Sequence, residues 1–186
     1  MTPGRLWTFG HSTRSESETV AMLRESGIRW VADVRTIRGS RHNPQFGAEV
    51  RRGWLAAADL GYRWISRLGG RHGKQPVDPE VNAGWTHASF HSYADYALSD
   101  DFAAGLAQLM ELAEEPTAIM CAEAVPWRCH RSLIATALVA RDWRVTHILG
   151  LGHSEDHVIG RWGATPRIDP SGRITYPAAQ PPLPAS

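Results

Sequence analysis

The chain has only two cysteines, and both lie in the segment CAEAVPWRCHRS, residues 121–132. Cys121 and Glu123 end an apolar run that predicts a strand. Cys129 is expected in the first turn of a helix that begins near Pro126. Because a helix N-terminus favours anions and lowers the pKa of a thiol, this short segment concentrates groups capable of chemistry.

Two interpretations place that chemistry on the cysteines. One is a metal site built from Cys121, Cys129, His130 and Glu123, although this spacing matches no standard zinc motif and a fourth soft ligand is missing. The other is a nucleophilic Cys129 with His130 as its base, although adjacent helical residues point roughly 100° apart. Either would describe a metal- or thiol-dependent enzyme that acts on a small molecule.

A third interpretation places the chemistry on two carboxylates. Asp33 and Glu123 both follow predicted strands, and two acids facing one cleft can activate water and stabilise positive charge on a sugar ring. Arg35, Arg131 and the backbone amides of residues 10–13 would hold a phosphate or a base carbonyl. For either acid, the competing explanation is an ion pair with a buried arginine.

The loop after the second predicted strand carries side chains that can contact bases. Residues 37–47 read IRGSRHNPQFG, in which Arg, Asn and Gln can bond base edges and Phe or His can insert between bases. The loop residues expected to contact a base are Arg41, Asn43, Gln45 and Phe46. An ordinary solvated loop with Asn-Pro turn chemistry is the alternative.

Charge is distributed unevenly, although the formal net charge is only +1. Residues 35–74 contain nine Lys and Arg against two acids, a balance of +7, whereas residues 75–125 contain nine acids and no Lys or Arg, a balance of −9. This division predicts one basic face for an anionic partner. The chain also has eight tryptophans, and aromatic side chains beside arginines are suited to stacking on bases.

These residues must be positioned by an alternation of strands and helices. Strands are predicted at 6–10, 28–36, 62–70, 116–124 and 143–150. Helices are predicted from Ser15 or Ser17 to Gly27, at 48–60, 91–98 and 100–114, and from Pro126. The alternation indicates an α/β fold, a single layered domain with a mostly parallel central sheet flanked by helices.

The predicted domain spans residues 1–175, and a Pro/Ala-rich tail follows at 176–186. In such a fold, ligands bind at the carboxyl ends of the strands. Polar clusters fall there, at residues 10–13, 33–35, 68–71 and 121–123.

Neither membrane association nor a disulfide framework is expected. No apolar run approaches the roughly 18 residues of a membrane span, and the N-terminus lacks a basic-then-apolar signal pattern. Two cysteines favour a reducing compartment. We therefore expect a cytoplasmic protein without an obligate protein partner.

Five motifs occur in an order that resembles the DUF488 family, a domain of unknown function. They are TFGHST (8–13), DVR with SRHNPQF (33–35 and 40–46), GYRWISRLGG (61–70), the pair Tyr93 and Tyr96, and MCAE with CHR (120–131). The resemblance covers roughly residues 6–150. It implies a link to DNA base excision, on pyrimidines oxidised at C5 such as 5-hydroxyuracil.

The residues and the resemblance together predict a DNA glycosylase whose partner is DNA with a damaged or flipped base. Lys74 is the chain's one lysine, so water rather than an amine is the expected nucleophile, with Asp33 or Glu123 activating it and no cofactor or metal required. The expected substrate contacts are His11, Ser12, Arg35, Arg41, Asn43, Gln45, Phe46, Gly69, Gly70, Trp127, Cys129, His130 and Arg131. A non-catalytic nucleic-acid-binding module and the metal- or thiol-dependent enzyme are the alternatives.

Overall fold

A computed structural model of the chain describes residues 4–39 and 41–179. Its helices are α1 (Glu16–Glu25), α2 (Ala48–Ala57), α3 (Ala88–Tyr96), α4 (Asp100–Leu112) and α5 (Arg131–Val139). Its strands are β1 (Arg5–Gly10), β2 (Trp30–Asp33), β3 (Gly61–Trp64), β4 (Thr117–Cys121), β5 (Arg144–Gly150), β6 (His153–Asp156), β7 (Arg167–Ile168) and β8 (Ile174–Thr175). The predicted α/β class is confirmed, while the short strands after β5 were not predicted.

The central sheet has six strands in the order β3-β2-β4-β1-β5-β6. The first five are parallel, and β6 pairs with β5 in the antiparallel direction. All five residues of β4 are buried, as is typical of a parallel strand covered on both faces. Because Gly10 lies opposite Cys121 and Asp33 lies opposite Met120, the carboxyl ends of β1, β2 and β4 meet at one edge.

Helices cover both faces of the sheet, which gives a three-layered domain with two apolar cores. On one face, Leu106 of α4 and Ile134 of α5 pack in the same core as Ile119 of β4. On the other, Leu23 of α1 packs in the same core as Met120. Adjacent residues of β4 thus serve opposite cores, as strand geometry requires.

Local sequence signals explain where α1 begins. The Ser15 hydroxyl accepts a hydrogen bond from the Glu18 amide, and the Glu18 carboxylate accepts one from the Ser15 amide. This reciprocal capping box satisfies two amide donors that the first turn would otherwise leave without partners. Ser15 was one of the two caps predicted for this helix.

The start of α5 differs from the prediction. Residues Pro126–Arg128 form a separate 3-10 turn, and Cys129 has an extended backbone with φ −136° and ψ 140°. The helix itself begins at Arg131. Cys129 is therefore not helical, and the helical spacing that weakened its pairing with His130 does not apply.

The chain near residue 176 is anchored in the domain rather than loose. Tyr176 is 5% exposed, its amide donates to the Asn82 side chain, and its carbonyl accepts from the Gly84 amide. Its ring lies 5.5 Å from that of Trp85. Tyr176, the first residue of the predicted tail, is therefore packed in the domain, and residues 180–186 lie outside the described part of the chain.

A buried hydrogen-bonded chain, here called the histidine chain, links β1, β5 and α5. Thr8 Oγ1 lies 2.7 Å from His147 Nδ1, His147 Nε2 lies 3.0 Å from His157 Nδ1, and His157 Nε2 lies 2.9 Å from Thr136 Oγ1. Burial lowers the pKa of His147 to about 3 and that of His157 to about 4. Both imidazoles are therefore neutral at pH 7.

No helix in residues 4–39 or 41–179 is long and apolar enough to cross a membrane.

Candidate functional site

A cleft of about 730 Å³ opens at the carboxyl ends of β2 and β4. Its lining comes from the segments after β2, β3 and β4 and from the start of α3. The lining residues are Arg35, Thr36, Ile37, Gly70, Arg71, His87, Ser89, Phe90, Cys121, Ala122, Glu123, Trp127, Arg128, Cys129 and His130. Small-molecule pockets usually measure about 300–1,000 Å³, so the cleft is large enough for a nucleoside-sized ligand.

Three nitrogen and sulfur donors meet in this cleft, and we call them the Cys–His cluster. Cys121 Sγ, Cys129 Sγ and one ring nitrogen of His130 lie within 4.8 Å of one another. His130 Nδ1 is 3.8 Å from Cys121 Sγ and 3.7 Å from Cys129 Sγ. His130 Nε2 lies 3.1 Å from the Val34 carbonyl, which can only accept, so Nε2 carries the proton. In the neutral ring, the Nδ1 lone pair therefore faces the two sulfurs.

Glycines make room for this arrangement. A Cβ atom at Gly70 would lie 2.4 Å from His130 Nδ1, so any side chain there would displace the imidazole. A Cβ atom at Gly69 would lie 2.7 Å from Thr36 Oγ1, so the absence of a side chain lets the 69–70 turn pack closely against the segment after β2. Gly70 lines the cleft, whereas Gly69 is buried behind it.

The two thiols differ in acidity. Burial raises the pKa of Cys129, but a hydrogen bond from Cys121 and interactions with the neighbouring His130 outweigh it, so this pKa lies well below the usual range. The same hydrogen bond, together with burial, raises the pKa of Cys121 well above that range. Cys129 is therefore the thiol that loses its proton more readily.

Asp33 lies in a saturated group of side chains that we call the Asp33 network. Its Oδ1 accepts from the amide and Nε of Arg35, each at 3.0 Å. Its Oδ2 accepts from Arg35 Nη2 at 3.0 Å and from the Tyr62 hydroxyl at 2.9 Å, and Arg51 Nη2 lies 3.3 Å away. Asp33 is fully buried and does not line the cleft. Asp33 thus forms the ion pair with a buried arginine that was the alternative explanation, and the prediction that it activates water is wrong because its oxygens are enclosed.

Glu123 is the exposed carboxylate of the cleft. Its backbone is clamped, because Arg131 Nη1 donates to the Glu123 carbonyl at 2.6 Å and Arg131 Nη2 donates to the Ala124 carbonyl at 3.0 Å. A Cβ atom at Gly10 would lie only 1.7 Å from the Glu123 carbonyl oxygen, so this close approach requires glycine. The fully buried Arg131 therefore positions the turn after β4 and does not line the cleft, contrary to its predicted contact with substrate.

The turn after β1 supports the site from behind. His11 is 3% exposed, its Nδ1 donates to the Ser12 carbonyl, and Arg35 Nη1 lies 3.1 Å from its Nε2. Burial lowers the pKa of His11 to about 4. Ser12 has a φ of 46°, and its amide donates to the Ala122 carbonyl. Neither His11 nor Ser12 lines the cleft, so the predicted base contacts of both are replaced by packing and backbone roles.

Some side chains of the loop predicted to contact bases have packing roles within the protein instead. Phe46 is fully buried and stacks on His11, with ring centroids 4.2 Å apart, so it cannot insert between bases. Gln45 donates its side-chain amide to the Arg14 carbonyl. Arg41 is exposed and Asn43 is half-buried, but neither lines the cleft.

Several lining residues were not predicted as substrate contacts, and a group of them lies at the start of α3. α3 begins at Ala88, earlier than predicted, and places His87, Ser89 and Phe90 on the cleft. Arg71 and Arg128 are exposed lining residues that add positive charge around Glu123. The basic composition of residues 35–74 was the signal for Arg71, whereas nothing in the local sequence singles out residues 87–90.

The fold is that of a single-domain α/β protein with a cleft at the carboxyl edge of a mostly parallel sheet, the edge where such folds bind ligands. The model of the family described as "Domain of unknown function DUF488" matches residues 16–138. The chain therefore belongs to the DUF488 family, as its motifs predicted. No curated protein and no solved structure matches it.

Proposed function

We propose that the protein is a DNA glycosylase that removes a damaged pyrimidine base, such as 5-hydroxyuracil, with water as the nucleophile. The observation that carries this proposal is the exposed Glu123 carboxylate in a nucleoside-sized cleft lined by arginines and aromatic rings. The damaged-pyrimidine class of substrate follows from the resemblance to the family. A cytoplasmic location is part of the same proposal.

The cleft offers the contacts that a base and its flanking phosphates need. Trp127 is 44% exposed and lines the cleft, so an unstacked base can stack on its indole, whereas Phe90 in the same lining already stacks on Trp85. Arg71 and Arg128 are exposed on the same lining and can donate to phosphate oxygens. These contacts favour a flipped or single-stranded nucleotide over a base held inside a duplex.

The proposed reaction uses one carboxylate. Glu123 accepts a proton from a water molecule while the water oxygen bonds to C1′ of the deoxyribose. The bond between C1′ and the base nitrogen breaks, and its electron pair leaves with the base. The base takes up a proton from bulk water, and Glu123 returns its proton to bulk water, so the carboxylate is regenerated. Lys74 is exposed and does not line the cleft, which supports water rather than a Schiff base as the route.

The test is an excision assay on oligonucleotides that carry 5-hydroxyuracil, 5-hydroxycytosine, uracil, 5-hydroxymethyluracil or 8-oxoguanine, in single and double strands. Abasic sites would be scored by alkaline cleavage. Glu123→Gln should lower the excision rate by about 10²–10⁴-fold, since it removes the general base. Glu111→Gln, an exposed acid on α4, is the matched control and should excise normally. Absence of abasic product with every lesion would overturn the proposal, and full activity of Glu123→Gln would overturn the role of Glu123.

A second function is favoured by the convergence of three donors in the Cys–His cluster. In this alternative, the reacting group is the Cys129 thiolate or a metal-bound water, and the substrate is a small molecule. Such an enzyme would be insensitive to DNA, and its activity would be lost in Cys129→Ser but kept in Glu111→Gln. Turnover of an ester or amide substrate panel by the wild type, compared with both variants, tests it.

A further inference from the structure

The Cys–His cluster has the donor spacing of a preformed metal site. Zinc bonds of about 2.3 Å to sulfur and 2.0–2.1 Å to nitrogen, in tetrahedral geometry, place sulfur and nitrogen ligands about 3.5–3.6 Å apart. His130 Nδ1 lies 3.8 and 3.7 Å from the sulfurs of Cys121 and Cys129. Only small side-chain movements would therefore bring all three donors within bonding distance of one ion.

The second nitrogen of His130 has the partner that a metal-binding imidazole typically has. Metal-ligating histidines almost always donate their other ring N–H to a carbonyl, a carboxylate or water, which fixes the tautomer and the ring orientation. His130 Nε2 makes this bond to the Val34 carbonyl at 3.1 Å. The side-chain-free Gly70 beside Nδ1 and the Tyr93 ring, 4.9 Å away by centroid, restrict the imidazole further.

The cluster opens toward the cleft, which decides what kind of metal site it would be. Structural zinc sites are closed by four protein ligands, whereas catalytic sites use three and keep a position for water or substrate. Cys121, Cys129 and His130 all line the cleft, and the Glu123 carboxylate is not among the donors grouped within 4.8 Å. In the sequence analysis, the missing fourth soft ligand argued against a metal. An open catalytic site needs only three protein ligands, so this objection does not apply to it.

We propose that Cys121, Cys129 and His130 bind one zinc ion per chain, with the fourth coordination position open to the cleft. Thiolate and imidazole donors select zinc over the hard cations Mg²⁺ and Ca²⁺. A bound ion would hold both thiols as thiolates and would place a Lewis acid in the same cleft as Glu123. This proposal goes beyond base excision and does not depend on it, because metal binding is measured without DNA.

The experiment measures metal content and thiol protection on the full chain. Protein reduced with a phosphine would be loaded with Zn²⁺, dialysed against metal-free buffer and analysed by mass spectrometry for bound metal. We expect one zinc per chain in the wild type, and a 10–100-fold or larger loss of affinity in each of Cys121→Ser, Cys129→Ser and His130→Gln. His153→Gln, an exposed histidine on β6, is the matched control and should retain one zinc.

Two further measurements keep the proposal testable if a variant fails to fold. Zinc should slow the alkylation of both cysteines in the wild type, and Co²⁺ should produce an intense thiolate-to-cobalt charge-transfer band. Zinc far below one per chain, together with alkylation unaffected by zinc, would overturn the proposal and leave the cluster as free thiols. A disulfide between Cys121 and Cys129 in protein kept under the reductant would overturn it as well.

Discussion

The Asp33 network and the Cys–His cluster lie at the carboxyl ends of neighbouring strands, β2 and β4, and use their polar atoms in opposite ways. Both carboxylate oxygens of Asp33 accept hydrogen bonds from Arg35 and Tyr62, with Arg51 alongside, and the acid is fully buried. In the cluster, the donors converge on one point beside the cleft, and their mutual contacts of 3.7–3.8 Å are weak.

The comparison shows that position at a strand end does not by itself make a functional residue. A buried charged group whose hydrogen-bonding capacity is filled by the protein is costly to remove and has no capacity left for a ligand. A group of donors aimed at one point and left open to a cleft can bind or react. Asp33 and Glu123 differ in the same respect, because Asp33 is enclosed by protein groups and Glu123 is exposed.

The largest expected effect is a loss of stability when the Asp33 network loses its negative charge. Asp33→Asn removes the carboxylate charge and leaves the buried Arg35 and Arg51 guanidiniums uncompensated, so the free energy of unfolding should fall by about 3–5 kcal/mol in urea denaturation. Asp59→Asn is the control, because Asp59 is exposed with a φ of 60° that Asn readily adopts. A loss no larger than that of the control would mean that the network does not stabilise the fold.

The histidine chain resembles the Asp33 network because its ring nitrogens all have protein partners, but its groups are neutral rather than charged. His147 and His157 take up protons near pH 6.5 in the unfolded chain, but only near pH 3 and 4 in the folded chain. Between these values the unfolded state binds more protons, so stability should fall as the pH decreases below about 6.5.

At pH 5 the expected loss is about 2 kcal/mol for each histidine, relative to pH 7. Urea denaturation at both pH values checks this, with His157→Gln expected to lose less stability on acidification than the wild type. His153→Gln, which removes an exposed histidine, should behave like the wild type. Equal pH dependence in the wild type and His157→Gln would contradict the buried neutral histidine pair.

A smaller effect is expected from a substitution in the cleft, whose lining residues are open to a ligand. Trp127→Ala removes a half-exposed indole from the cleft wall, and should weaken binding of a single-stranded oligonucleotide by about 1 kcal/mol, the lower end of the range for base stacking. Fluorescence anisotropy titration measures the Kd. Leu151→Ala changes an exposed apolar residue outside the cleft lining and should leave the Kd unaltered. An unchanged Kd for Trp127→Ala would exclude stacking on this ring.

The smallest expected effect is on the stability of the protein when Glu123, rather than Asp33, loses its charge. Glu123→Gln should change the free energy of unfolding by no more than about 0.5 kcal/mol, as is usual for an exposed side chain with no structural partner. The same denaturation experiment as for Asp33→Asn measures it. A loss of several kcal/mol would show that Glu123 holds the turn after β4 together, and its activity loss would then have a structural cause.

The family, the fold class and the strand-end location of the cleft were predictable because they rest on local signals. Apolar strands alternating with capped helices fix a parallel sheet, and ligands bind at its carboxyl edge. Glu123, Trp127 and Gly70 were predicted and line the cleft. Strand lengths were overestimated, since an apolar run such as 28–36 continues beyond the paired residues of β2.

The different fates of the two acids were not predictable, because long-range contacts decide them. Asp33 is enclosed by Arg51 from α2 and Tyr62 from β3, residues that nothing in the local sequence assigns to it. Phe46 was expected to contact bases, but His11 stacks on it. The Cys129–His130 pair was discounted only because the helix was expected to begin at Pro126 rather than at Arg131.

The central place of β4 also decides when the site can form during synthesis. β1 and β2 leave the ribosome early, but they are not partners in the sheet, because β4 lies between them and is made much later. Until residues 117–121 emerge, β1 and β2 both expose apolar strand edges that can pair with other chains. The same strand brings Cys121, and Cys129 and His130 follow it, so the cleft cannot form before β4 joins β1 to β2. Chains that end before Thr117 would lack the cleft and would keep both strand edges exposed to pairing with other chains.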